Sequence, residues 1–205
     1  PGEEIKMKVL KVGKNFGFGK VEEWLSQSPD RVQDVNMTYL RTGIADFGHM
    51  TYPAQLHFKH KQVVDVLRKN AHKPDFPVLD TLGAEQESQY RNKAQVPVRS
   101  INGKTETGFF RKNSHDLVPI RDFYIQNPEI DELVNQVRES LIKLNIPPYD
   151  EQTKRGIVRN IVIRRGHHSG QMMLILVVTK EKFAGLSELV AQYSNKVDSF
   201  QLSIN

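Results

Sequence analysis

Cysteine is absent from the 205 residues, which excludes disulfides, thiolate metal sites, iron–sulfur ligation and a cysteine nucleophile within them. No apolar run approaches the roughly 18 residues that a membrane span requires, so no membrane partner is expected. The opening Pro1-Gly2-Glu3-Glu4 has neither the positive start nor the apolar core of a secretory signal. It reads as an internal boundary, and a cytoplasmic protein is expected. Phosphate-loop chemistry is missing too. Gly13, Gly17 and Gly19 are not followed by Gly-Lys-Ser/Thr, and a strand rather than a helix follows them. No glycine-rich strand-to-helix turn with a later acidic residue occurs, so no dinucleotide or adenosylmethionine site is evident.

Acidic residues are locally missing as well. Residues 152–180 contain Lys154, Arg155, Arg159, Arg164, Arg165 and Lys180 with no Asp or Glu, and residues 88–105 contain Arg91, Lys93, Arg99 and Lys104 on the same terms. The net charge of +5 permits an anionic partner without identifying one. This distribution says more than the total. Hydrophobic residues at 38% and charged residues at 26% fit a chain able to bury a real core.

Along the chain, Ile5, Met7 and Val9 alternate with Lys6 and Lys8, and after Gly13-Lys14-Asn15 a second short strand follows from Phe16 to Val21. Two strands do not stand alone, so they read as the end of a small β-barrel. Residues 26–48 read as linker or irregular loop. A helix is expected from Thr51, as cap, to about Lys69, ending before Pro74. Strict alternation over residues 90–98 puts Tyr90, Asn92, Ala94, Val96 and Val98 on a core face and Arg91, Lys93, Gln95 and Arg99 on a basic one. Asn102-Gly103 is a hairpin turn, returning over residues 107–110. Asn127 caps the next helix with Pro128 at its first position. Residues 156–165 and 171–179 follow as strands, the second nearly continuously apolar and hence central. An amphipathic helix through Phe183, Leu186, Leu189, Val190 and Tyr193 and a strand over 199–204 close the pattern. The fold class is α+β: the end of an OB-like barrel, a linker and helix, then a domain with an antiparallel or mixed sheet and helices packed on it.

Ser114-His115-Asp116 has the residue types of a catalytic triad, but adjacent residues in an extended chain point apart and a triad needs convergence. It fits an orienting role in its loop better. His57 and His60 lie one turn apart and His167-His168 share a loop, with no carboxylate at ligand spacing, so solvated histidines are the better reading and no metal is expected. The basic strand face combines cations with an aromatic from Phe109-Phe110-Arg111-Lys112, which suits unpaired RNA: phosphates meet cations and bases stack on a ring. The expected RNA-binding set is Arg91, Lys93, Gln95, Phe110, Arg111, His115, Arg159, Arg164 and Arg165. A solvated sheet face, with Phe109 or Phe110 in the core, is the plain alternative.

Several stretches run in one order along the chain: Pro1-Gly2-Glu3, Lys14-Asn15-Phe16 with Gly17 and Gly19, Ser28-Pro29-Asp30-Arg31-Val32, His49-Met50-Thr51-Tyr52 with Gln55-Leu56 and Lys61-Gln62-Val63, Tyr90-Arg91-Asn92-Lys93, Gly108-Phe109-Phe110 with Ser114-His115-Asp116, Ile125-Gln126-Asn127-Pro128, and residues 159–166. Together they resemble the RNA 5-methyluridine methyltransferase family, in its 23S rRNA uracil-5-methyltransferase branch. The resemblance implies that residues 1–30 end a TRAM module, that 31–88 are linker loop and helix, and that 89–205 form the central RNA-binding domain. It implies ribosomal RNA of the 23S type as partner and S-adenosylmethionine as donor. The donor pocket, cysteine nucleophile and general base would lie in a catalytic domain after residue 205, so no catalytic or cofactor residue is assigned here. Family chemistry is thiolate attack on C6 of a flipped uridine, methyl transfer to C5, then elimination. Many members hold a four-iron four-sulfur cluster; here Thr42-Gly43-Ile44-Ala45 and Phe123 stand where its cysteines would be, so the cluster is expected to be absent. The rival reading is a stand-alone RNA-binding or ribosome-associated module without enzymatic activity.

Overall fold

The computed structural model describes residues 2–205; Pro1, the first residue of the opening motif, lies outside them. The described chain divides into two compact units, one of residues up to Asn36 with Phe47–Gly83, the other of Met37–Asp46 with Ala84–Asn205.

The first unit contains β1 (Ile5–Val12), β2 (Gly17–Trp24) and α2 (Tyr52–Asn70). Gly13 N–H donates to the Phe16 carbonyl at 2.7 Å and closes the turn of the hairpin. The hairpin exposes its apolar residues: Val9, Val12, Phe16 and Phe18 are each more than half accessible. Thr51 stands at the N-cap position of α2 with extended backbone but makes no side-chain cap bond, and Pro53 lies in the first turn, where its missing N–H costs nothing. Arg31 grips Glu3 through two parallel bonds, Nε to Oε1 at 2.6 Å and Nη2 to Oε2 at 2.7 Å, and its guanidinium lies 5.1 Å from the Trp24 ring.

This bidentate pair holds the Glu3 carboxyl down at about 2, the hydrogen bond to Arg31 being the chief cause. A carboxyl depressed on folding contributes stability above its ordinary value of about 4.3, and that contribution is lost as pH falls from there toward about 2. We expect the urea midpoint reported by Trp24, the one tryptophan, to drop across this window, and Glu3→Gln to flatten the drop. Identical pH profiles for the two proteins would refute the assignment.

In the second unit, α1 (Met37–Thr42) is followed by β3 (Lys93–Ile101), β4 (Lys104–Phe110), β5 (Leu117–Pro119), α3 (Pro128–Lys143), β6 (Val158–Arg165), β7 (Met172–Val178), α4 (Leu186–Tyr193) and β8 (Ser199–Ile204). The strands form one sheet in the order β5-β4-β3-β6-β7-β8. All neighbours are antiparallel except β7 and β8, which are parallel because α4 carries the chain back between them. The β3–β4 turn has Asn102 at φ 50° and Gly103 at φ 77°, the two left-handed residues that a tight hairpin with the right twist needs. Asn127 Oδ1 accepts from Glu129 N–H at 3.0 Å and caps α3 as its position predicts.

One face of the sheet makes the core. Ala94, Val96 and Val98 of β3, Ile161 and Ile163 of β6, and Leu174 and Leu176 of β7 pack with Ile130, Val134, Val137 and Leu141 of α3 and with Leu189 and Tyr193 of α4. The buried Tyr193 hydroxyl meets Ser140 Oγ at 2.8 Å, so this phenol is satisfied.

Three expectations are corrected. Residues 26–48 are not wholly irregular, since α1 lies among them, its Thr42 hydroxyl donating to the Thr38 carbonyl at 2.7 Å. Tyr90 does not join the core face: it is 60% exposed, and the strand begins only at Lys93. Strand β7 is not central but next to the edge, and its residues alternate between buried and half-buried.

Candidate nucleic-acid interface

Register assigns every strand residue to one face. Val98 pairs with Thr107 and Arg99 with Glu106, so Thr107 and Phe109 point to the core while Glu106, Gly108 and Phe110 point away. Phe109 stands edge-on to Phe123 with ring centres 5.2 Å apart. Phe110 is half-buried on the opposite face, where the Arg99 guanidinium lies 5.5 Å from its ring centre and His115 stands 6.4 Å away. The ambiguity between the two phenylalanines is thereby resolved.

On that same outer face Lys93 pairs directly with Arg164, and Gln95 with Val162. Lys93 and Arg164 are exposed, and neither forms an ion pair among the described residues. Two like charges held directly opposite across a strand pair destabilise each other by roughly 0.2–1 kcal/mol. An anion seated between them relieves that repulsion. Arg91 continues this edge: its backbone is anchored by bonds to Ile125 and Asn127, while its side chain is exposed.

The other expected residues fall elsewhere. Arg165 points to the helix side of the sheet, where Nε and Nη2 bond the two carboxylate oxygens of Glu129 at 3.0 and 2.9 Å. That partner holds the Glu129 carboxyl below the usual carboxylate range. Arg159 sits at the irregularity in the β6–β7 pairing, stacks 3.8 Å over Tyr149 and donates to the Asn205 carbonyl at 2.9 Å. Arg111 and His115 flank the tight β4–β5 connection, with Arg111 N–H donating to the Asp116 carbonyl at 2.9 Å and Ser114 Oγ accepting from Asp116 N–H at 2.9 Å. Ser114, His115 and Asp116 therefore make a turn; the serine hydroxyl serves its own backbone. His60 faces the Val78 carbonyl at 3.2 Å, and no group of three or more metal-ligand side chains occurs among the described residues.

Thus Lys93, Gln95 and Arg164 share one patch and Phe110, His115 and Arg99 form a second, while Arg159 and Arg165 are engaged by protein groups, as is Arg99, whose Nη2 pairs with Glu151 Oε1 at 2.6 Å. The sequence reading missed the apolar members of the outer face. Val162 is 8% exposed yet stands outside the core cluster, and Met173, Ile175 and Val177 are half-buried on the same side. The signal was in β7, whose apolar run exceeds what one covered face requires.

Neither group that the resemblance brings to mind fits here. Ile44 and Phe123, standing near or at the positions of cluster cysteines, are both packed in the hydrophobic core, and no thiolate exists to hold iron. For S-adenosylmethionine, the glycine at a strand-to-helix junction is Gly185 before α4, and a side chain there would press on Ile146 and Leu144 instead of facing an open cradle. The cavity lined by Glu3, Ser28, Asp30, Arg31, His49 and Met50 measures about 70 Å³, far below the roughly 300 Å³ at which small-molecule sites begin.

No family model matches the chain. Among curated proteins, it is 55% identical over 209 residues to a Lactococcus lactis protein named an uncharacterized RNA methyltransferase, covering all of this chain and 45% of that protein. Similarly named proteins of Streptococcus mutans and Streptococcus pyogenes are 54% and 57% identical over 190 residues, covering 93% of this chain and 42% and 41% of theirs. The chain thus spans less than half the length of the curated relatives it matches. Among solved structures, the tRNA (uracil-54, C5)-methyltransferase of Pyrococcus abyssi, in complex with S-adenosyl-L-homocysteine, superposes with a TM-score of 0.70 at 20% identity, over all of this chain and 45% of that one. At that identity the likeness concerns the fold. Over 93–100% of its length the chain is thus similar to bacterial proteins named uncharacterized RNA methyltransferases, of which it spans somewhat under half.

Proposed function

We propose that this chain is the RNA-recognition portion of an S-adenosylmethionine-dependent 23S rRNA (uracil-5-)-methyltransferase, positioning a uridine for methylation at C5. The observation that carries the reading is the opposed Lys93–Arg164 pair, neither member of which forms an ion pair among the described residues. Arg91 and Gln95 extend the patch, and Arg111 adds a cation beside Phe110 at the β4–β5 connection. Phe110, with His115 beside it, offers a ring for an unpaired base. Arg159 and Arg165 contribute to the basic field while holding the Asn205 end and the α3 start in place.

In this reading residues 1–30 complete a TRAM barrel, which accounts for a hairpin whose apolar residues are exposed and which two strands cannot stabilise alone. Residues 31–88 link it, through α2, to the RNA-binding domain of residues 89–205. S-adenosylmethionine supplies the methyl group in a catalytic domain outside these residues, no iron–sulfur cluster is held, and this chain alone transfers no methyl group. In this reading the protein acts on ribosomal RNA in the cytoplasm. No helix among the described residues is long and apolar enough to cross a membrane.

Two experiments test the reading. Lys93→Ala and Arg164→Ala should each lower the slope of log affinity against log salt by about 0.7 for single-stranded RNA. Arg165→Ala should change it less, because Glu129 already neutralises that guanidinium. Unchanged slopes for both Lys93 and Arg164 would remove them from the interface. In cells, deleting the gene should abolish 5-methyluridine at a 23S rRNA position; its loss from tRNA alone would overturn the 23S assignment.

A further inference from the structure

The outer face of β3, β6, β7 and β8 has a composition unlike a solvated surface or a second core. Its cross-strand rows are Lys93–Arg164–Met173–Ser199 and Gln95–Val162–Ile175–Gln201, with Pro97–Asn160–Val177–Ser203 beyond them. No Asp or Glu occurs at any of these positions, whereas Asp and Glu number 24 in the chain. Apolar side chains fill the middle and cations one corner, and neutral amides and hydroxyls occupy the β3 and β8 margins. None of the apolar members belongs to the core that α3 and α4 cover.

We propose that this face is the docking platform for an unpaired RNA strand, with bases lying across Met173, Ile175 and Val177 over the buried Val162 and phosphates held at Lys93 and Arg164. The inference rests on the RNA-recognition reading above and adds to it the surface that takes the bases. Strands lie about 4.8 Å apart in a sheet, so the half-buried aliphatic side chains form a shallow, nearly continuous floor that suits planar rings. Gln95 and Gln201, at opposite ends of the Ile175 row, can each donate and accept hydrogen bonds at a base edge. A duplex cannot use the floor, because its bases are stacked inward and the A-form major groove is too narrow to admit a sheet. A protein partner is disfavoured by the uncompensated cations at the corner, which would have to be buried without partners.

The test uses the whole chain with a single-stranded RNA decamer and a duplex of equal length. Met173→Gln with Ile175→Gln removes the apolar floor without changing charge, and should weaken single-strand binding about tenfold or more while leaving duplex binding and the salt slope unchanged. In parallel, decamer carrying 4-thiouridine should photocrosslink to wild-type protein within residues 158–178, a readout that no folding defect can imitate. Unchanged single-strand affinity in the double variant, or crosslinks confined to other segments, would overturn the platform while leaving the RNA-recognition reading intact. Wild-type protein that binds neither RNA would overturn both.

Discussion

Lys93→Glu combined with Arg164→Glu is expected to reduce RNA affinity roughly a hundredfold or more at low salt, the largest functional effect available from two substitutions in this chain. The reasoning is geometric. The two cations are direct partners across β3 and β6, both exposed, and no carboxylate among the described residues pairs with either. Each phosphate contact removed lowers the salt exponent by about 0.7 for single strands, and reversal adds repulsion of the phosphates themselves. The loss should therefore shrink as salt rises. A filter-binding series from low to moderate salt reads both the affinity and the exponent, and wild-type affinity at every salt would contradict the placement of phosphates on this corner. The substitutions lie on the outer face, so the core packing of the sheet is untouched, and thermal stability should hold because the opposed pair stays like-charged.

The largest expected effect on stability lies elsewhere, at Phe123. This side chain is fully buried, stands edge-on to Phe109 at 5.2 Å, and shares the core with Ile44 and Ile130. Phe123→Ala should cost about 3–5 kcal/mol, the sum of lost burial and the cavity left behind. Urea unfolding followed by circular dichroism of the sheet-rich unit measures it, with Tyr124→Ala as the neighbouring control. Tyr124 is 42% exposed and stacks on Tyr39 at 5.4 Å, so its loss should cost far less. Equal losses at both positions would mean that Phe123 does not anchor the loop. The same packing explains how the segment from α1 to Asp46 is held without metal: Ile44 inserts into the core, and Tyr39 stacks on Tyr124 and donates to the Asp122 carbonyl at 3.3 Å.

Much of the second unit could be read from residue pattern because local and tertiary preferences agree there. Asn127-Pro128 with Glu129 and Asp131 specifies a helix start independently of context, and Asn102-Gly103 specifies its hairpin by the backbone angles it permits. Reading failed where a local pattern has two tertiary solutions. Tyr90 continues the alternation of β3, but its neighbour Gln89 takes φ 58° and breaks the extended run, leaving the tyrosine outside the core. The apolar run of β7 signals burial on both faces, yet only one is covered by helices; the other is the open floor proposed to take RNA. Among site residues, alternation grouped Lys93 with Gln95 correctly, because period two needs no knowledge of partners. It could not show that Arg165 turns to Glu129 or that Arg159 lies over Tyr149, since those partners are 36 residues and 10 positions away on other elements.

The most direct test of the central claim is binding of this chain to a ribosomal RNA stem-loop bearing an unpaired uridine, against a duplex of equal length, at two salt concentrations. Tighter binding to the loop that persists at the higher salt is the predicted result, because bases on the outer face add an interaction that salt does not screen. Weak binding, equal for both RNAs and lost with salt, would contradict the account and leave only a basic surface without recognition.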